Sequence, residues 1–403
     1  MKKSKRHSLV AIILALSIFS CEKKETETII VSPAGQNSAE PNLISGADGN
    51  IYLSWIEKFD EKAMLKYSKW EQTKWSDSEI VAEGNDWFVN WADYPAMAVN
   101  QNGDMVAHYL QMSDTGSYTY DIKVVAKKSE AKKWSSPVKL HRDSVNAEHG
   151  FVSIVPQKDG KFLFAWLDGR NTVSNDPAHA GHQGHGGGGG PMTIRTAVLT
   201  TDLEISNEFE LDNSVCDCCQ TGAAISSNGP LIIYRDRSEA EIRDMSIVRL
   251  VDGVWTDPQT IYNDNWNIAG CPVNGPRVAA LGNNVAIAWF TAAEGVPKVK
   301  LVYSNNAGET FGTPIQLDQG KPIGRVDVDM IDSETIFVSW MEGQDIVAAK
   351  IATNGEILKR YVLANSASSR NSGFPQMTLL GNKVMIAWTD SEQKKVKTKT
   401  LVL

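Results

Sequence analysis

The sequence predicts an all-β fold, a β-propeller of four-stranded antiparallel blades, seven in number, with six as the alternative count. Three observations predict it. A short strand, a Gly- or Asn-based turn and a second apolar strand recur along the 403 residues at intervals of roughly fifty, a period that marks repeated supersecondary units. The copies begin near Asn42, Pro95, Gly150, Gly222, Gly275, Gly324 and Gly373. Their second strands read IYLSW, MVAHY, FLFAW, LIIYR, VAIAW, IFVSW and VMIAW, rich in β-branched and aromatic residues as strands are. No stretch carries a sustained helical period.

Each copy continues into a third strand and then a fourth. The fourth follows segments such as Lys74 to Ser76, Lys133 to Pro137, Val254 to Pro258 and Thr310 to Pro314. Four antiparallel strands repeated radially are the signature of a propeller. One blade cannot bury both faces alone, but stacked neighbours can. The strand-terminal Trp55, Trp166, Trp289, Trp340 and Trp388 are therefore expected between blades. The last copy stops after three strands, near 376–380, 383–388 and 397–403. Residues 27–32 (ETIIVS) are expected to supply the missing outer strand and so remove a bare edge. Residues 27–403 then form a single propeller domain.

The first residues read as a targeting device. Lys2, Lys3, Lys5 and Arg6 precede an apolar run from Leu9 to Phe19, closed by Ser20. That is the pattern of a secretory signal over residues 1–20, and the run is too short to span a bilayer. The ending Ile18-Phe19-Ser20-Cys21 resembles the lipobox of bacterial lipoproteins. This resemblance implies lipidation at Cys21, with 21–26 as a charged tether. The body is then expected to be held at a bacterial membrane, the outer membrane foremost, facing the periplasm or the outside. A net charge of −8 argues against a nucleic-acid partner. The chain is expected to act as a monomer.

Propeller geometry puts the loop entering each blade and the loop after its second strand at one end. Three groups fall there. Cys216, Cys218 and Cys219 enter blade four and Cys271 precedes blade five. They read either as two disulfides in an oxidising compartment or as ligands for a borderline or soft metal, Cu or Zn. His179, His182 and His185 lie in a Gly-rich segment of blade three. They read as added metal ligands or as a surface loop. Arg235, Arg237 and Arg243, with Arg170, Arg277, Arg325, Arg370 and Asn274, offer planar forks for a carboxylate, sulfate or phosphate near the ring's axis. The alternative is that they form salt bridges between blades.

One segment carries a family resemblance. Ser304-Asn-Asn-Ala-Gly-Glu-Thr-Phe311 is similar to the Asp-box turn S-x-D-x-G-x-T-W, with Asn306 for Asp and Phe311 for Trp. Weaker echoes occur at 252–255 and 353–356. The chain thus resembles the sialidase-superfamily (BNR-repeat) propellers. The box is a turn between third and fourth strands and marks the fold. Family enzymes open with a Phe/Tyr-Arg-Ile-Pro motif that this chain lacks near blade one. The resemblance and the Arg-rich face together imply binding, or binding with hydrolysis, of an acidic glycan or other anionic ligand. For hydrolysis, Asp168, Asp236, Asp244 or Glu342 would supply the acid and Tyr94 the nucleophile. The alternatives are a metal-binding lipoprotein using the cysteines and the His segment, and a non-catalytic interaction scaffold.

Overall fold

The computed structural model describes residues 27–173 and 189–403. Cys21 and its tether, and His179, His182 and His185, lie outside the described residues. Seven antiparallel sheets are present. They occupy residues 38–84, 97–139, 149–215, 222–262, 277–316, 322–365 and 376–402, and the seventh takes residues 27–30 as its outer strand. The first strands of successive blades touch around the whole circle, the seventh against the first. The ring is closed, and seven is the blade count.

Each blade runs from an inner first strand to an outer fourth. The second strand is buried on both faces, because a neighbouring blade covers each one. Trp55, Trp166, Trp289 and Trp340 are at most 1% exposed. Each packs against the preceding blade. Trp340 sits with Ala288 and Val299, Trp166 with Val106 and Ile122, and Trp55 with Met385 and Ala387.

The indole N–H of a buried Trp needs an acceptor, and this fold provides one by period. Residues i and i+2 of a strand share a face. Trp55 donates to Glu57 Oε1 at 2.8 Å, Trp166 to Asp168 Oδ2 at 2.8 Å and Trp340 to Glu342 Oε2 at 2.9 Å. Trp289 instead uses Asp264, at 2.7 Å. Two blades break the Trp pattern. Blade two carries Tyr109, and blade four carries Arg235, which is 2% exposed.

The Asp-box-like turn joins the third and fourth strands of blade five. Ser304 Oγ accepts from Gly308 N at 3.1 Å, and Asn306 Oδ1 accepts from Thr310 N at 3.1 Å. Ala307 and Gly308 both adopt positive φ, 58° and 76°. Asn306 therefore supplies the acceptor that Asp would, and its amide adds a donor to Thr310 Oγ1. In blade four the outer strand is split into 254–255 and 259–262, both paired with the third strand. Pro258, which has no N–H to give a ladder, lies between the two halves.

Ring closure follows the expectation. Glu27 pairs with Leu401, Thr28 with Thr400, Ile29 with Lys399 and Ile30 with Thr398. Removing this strand bares the edge of the last blade. At about 1 kcal/mol per backbone hydrogen bond, a chain begun at Ser32 should lose several kcal/mol relative to one begun at Glu27. Thermal unfolding of the two forms measures this, and equal midpoints would show that the closing strand carries no stability.

Candidate functional site

The blade geometry sets one working end. His149 pairs with Asp168 and Pro322 with Glu342, so the start of a first strand lies beside the end of a second. Val215 bridges Asp236 in the same way. The loops bearing the predicted residues therefore share an end within each blade.

An axial cavity of about 160 Å³ lies among the inner strands. Every blade contributes to its wall: Asn42, Met97, Phe151, Gly222, Arg277, Asp327 and Gln376 come from blades one to seven in order, with Asp93 and Tyr94 from the loop entering blade two. Arg277 is half-buried. It donates to Tyr94 Oη, lies 3.4 Å from Gln376 Oε1, and sits over the Tyr94 ring at 5.7 Å. Gln376 Nε2 donates to the same phenol oxygen at 3.2 Å.

Two carboxyls on this wall are buried. Asp93 accepts from Phe151 N at 2.7 Å and from Tyr120 Oη at 3.2 Å, and burial pushes its pKa up to about 7. Asp327 accepts from Val328 N and Met377 N, stands 4.0 Å from Arg277 Nε, and is also pushed up by burial. Neither was singled out as an acid from the sequence, since no motif surrounds them.

Above the wall, Trp91 precedes the cavity-lining Ala92 to Tyr94. Its ring stacks with Phe374 at 5.7 Å, with Arg325 at 4.9 Å and the exposed Arg370 at 5.9 Å from its face. Aromatic faces flanked by cations suit a sugar ring that bears a negative charge.

Of the eight predicted anion-binding residues, only Arg277 lines this cavity. Arg235 donates to the carbonyls of Arg243, Asn274 and Phe290, at 2.7 to 2.8 Å. Arg237 pairs with Glu241 and Asp217, and Arg243 with Glu241. Arg170 pairs with Asp168, Asp143 and Glu208. Arg325 donates to the carbonyls of Gly373 and Ser369, and burial lowers its pKa to about 10. Asn274 accepts from Arg325 N and donates to the Ile323 carbonyl. Arg235, Asn274 and Arg325 tie blades four to seven together, while Arg170, Arg237 and Arg243 pair within or beside their own blades; none of them rings the pocket.

The four predicted acids also stand away from the cavity wall. Asp168 and Glu342 are the indole partners already described, and Glu342 accepts besides from Gln319 N and Lys321 N. Burial pushes Asp168 up, but Arg170, His149 and the Trp166 N–H pull it below the usual range. Asp236 accepts from Ser246 Oγ, and burial with the neighbouring Asp212 raises its pKa. Asp244 caps Asn265 N and Trp266 N and is raised chiefly by burial.

The cysteines do converge. Sulfurs of Cys216, Cys218 and Cys219 lie within 4.8 Å of one another, and all three residues are buried. Cys216 Sγ to Cys219 Sγ is 3.5 Å, well beyond a disulfide bond, and Cys271 hydrogen-bonds Cys218. Arg243 Nη1 donates to Cys216 Sγ at 3.4 Å. Gly275, just past Cys271, lets the loops meet: a Cβ there would fall 2.0 Å from the Gln220 carbonyl oxygen. Gln220 then bridges Ala92 O and Gly275 N.

A second cluster was not legible. His141 and His149 stack face to face at 3.6 Å between blades two and three, both buried. Asp143 lies 2.7 Å from His141 Nδ1 and 3.4 Å from His149 Nε2, with Asp121 and Asp168 beyond. Burial opposes the charge on Asp143, yet the two imidazoles hold it far below the usual carboxylate range. The opposing carboxylates outweigh burial and raise His141. The one sequence signal was His141-Arg-Asp143, too short to mark a site.

No protein-family model matches this chain, and no curated protein does. Solved structures do. The polysaccharide lyase Uly1 is 9% identical, with 90% of this chain and 89% of that chain covered and a TM-score of 0.56. The GH93 α-L-arabinofuranosidase of Fusarium graminearum is 12% identical, with 92% and 98% covered and a TM-score of 0.51. The NanB sialidase of Streptococcus pneumoniae, as its K499G mutant, is 11% identical, with 93% and 70% covered and a TM-score of 0.47. The chain spans 63% of a Hadza microbial sialidase, Hz136, at 13% identity and a TM-score of 0.46, with 76% of this chain covered. Identities this low speak for architecture alone. This chain is a seven-bladed β-propeller, similar in fold to the polysaccharide lyase Uly1.

Proposed function

We propose that this chain is an envelope lipoprotein, anchored through Cys21, whose axial cavity binds an acidic saccharide unit or a similar small carboxylate. The observation that carries the reading is Arg277. It is the one predicted Arg on the cavity wall, and its nearest partners are neutral, a phenol and an amide. Its nearest carboxyl, Asp327, is 4.0 Å away and pushed toward its neutral form by burial. The guanidinium thus keeps charge and donors to offer a carboxylate. The cavity is smaller than the roughly 300–1,000 Å³ of drug-sized sites, so it suits one charged unit. The Trp91 and Phe374 rings give the rest of a saccharide a stacking surface. The polysaccharide lyase and arabinofuranosidase among the structural neighbours are consistent with a saccharide ligand. Where turnover accompanies binding, Asp93 is the proton donor that the cavity offers, with Tyr94 beside it.

The binding test uses a glucuronate-bearing oligosaccharide and sialyllactose, each by calorimetric titration. A hydrogen bond to a charged group contributes about 1.5–3 kcal/mol. Arg277→Gln should therefore weaken binding about ten- to hundred-fold, while Arg237→Gln, remote from the cavity, leaves it unchanged. Equal affinity of wild type and Arg277→Gln would remove the reading.

Asp93 gives a pH dependence whose sign is fixed. Its folded pKa is raised, to about 7. As pH rises through that value the wall gains a negative charge that repels an anion. Binding should weaken across roughly one pH unit on either side of it, and Asp93→Asn should flatten the profile. The same group makes the native state bind more protons than the unfolded one. Its stability contribution is therefore greatest at low pH and is lost as pH rises from the unfolded carboxyl range toward about 7. Thermal midpoints of wild type and Asp93→Asn across that range measure this, and parallel curves would contradict it.

A further inference from the structure

Blade four breaks the repeat in two ways at the same place. Its second strand ends in Arg235 where five other blades have Trp. The loop entering it carries Cys216, Cys218 and Cys219. Arg235 is buried, and among the described residues it pairs with no carboxylate. Its Nη donors reach only main-chain carbonyls, and its Nε has no acceptor. Trp266 covers the guanidinium at 4.7 Å. A buried cation without a paired counter-charge is costly, and the groups near it that can carry negative charge are Asp244 and the sulfurs of Cys216 and Cys219.

Those sulfurs are spaced for a metal. A tetrahedral ion with sulfur at about 2.3 Å sets its ligands about 3.8 Å apart. Cys216 and Cys219 stand 3.5 Å apart, the three sulfurs of the loop all lie within 4.8 Å, and Cys271 reaches Cys218 from the loop before blade five. A disulfide would need about 2.0 Å.

We infer that Cys216, Cys218, Cys219 and Cys271 form a closed tetrathiolate site for a thiophilic d10 cation, Zn²⁺ or Cu⁺. Four thiolates and Zn²⁺ leave two negative charges. Arg235 and Arg243 stand beside them, and Arg243 Nη1 already donates to Cys216 Sγ at 3.4 Å. A closed set of four sulfurs leaves no position for a substrate, so the ion braces rather than reacts. It would clamp blade four to blade five directly behind Gln220 and Thr221, which line the axial cavity. The site goes beyond the saccharide reading and stands whether or not a saccharide binds.

The test uses the full chain, purified without a His tag under reducing conditions and offered Zn²⁺, Cu⁺ or Co²⁺. One equivalent of Zn²⁺ or Cu⁺ should survive dialysis, with four thiols masked from a thiol reagent until a chelator removes the ion. The preferred ion decides between the two. The Co²⁺ form should show thiolate-to-metal charge transfer and the visible bands of a tetrahedral centre. Cys219→Ser and Cys271→Ser should each lose the bound ion. Cys271 is half-buried, so its variant remains readable if loss of buried Cys219 impairs folding. Arg243→Gln should weaken metal affinity about ten- to hundred-fold, as loss of an outer partner does. A His179→Ala, His182→Ala, His185→Ala triple variant should keep the ion. Loss of metal in that variant, two disulfides in the chain as exported, or thiols that react equally fast with and without metal would overturn the assignment.

Discussion

The structure depends on one constraint: no blade can bury its two faces alone. Each sheet is completed by the next, and the circle must therefore close. The second strands register this most directly. Trp55, Trp166, Trp289 and Trp340 each fill the gap to the preceding blade. Their indole nitrogens in turn demand acceptors, and three of the acids supplied lie two residues along the same strand. Aromatic packing and acid placement are one device repeated around the ring.

That device explains what could and could not be read from the sequence. The strands, the turn residues and the closing segment 27–30 were legible because their signals are local and periodic. The roles of Asp168 and Glu342 were not, since a conspicuous acid after a strand looks the same whether it meets a substrate or an indole. The arginines were read as a convergent set because their loops share an end. Their side chains, however, reach sideways to main-chain carbonyls and carboxylates between blades, and only Arg277 turns to the axis. Asp93, Asp327 and the His141–His149 pair were missed for a related reason. Each is placed by register between distant strands, and no short motif announces that.

Charge burial is handled differently at the two ends of this range. Arg325 keeps neutral company, two carbonyls and an aromatic face, and its pKa falls to about 10. Asp93 keeps an amide and a phenol, and its pKa rises to about 7. In both cases desolvation exceeds what the hydrogen bonds return. At His141 and Asp143 the opposite balance holds, because a carboxylate faces the imidazole at 2.7 Å and raises it while the imidazole lowers the carboxylate. On the axial wall burial thus brings one carboxyl, Asp93, to titrate at about 7.

The pairing of residues 27–30 with 398–401 has a kinetic corollary. The two partners are nearly the whole chain apart, so the circle cannot be sealed until synthesis is nearly finished. Contacts of such long range form slowly. Until then the last blade presents an unpaired edge, which is the species most exposed to wrong partners. A chain tethered by its N-terminus would hold one half of that late contact beside a membrane while the other half arrives.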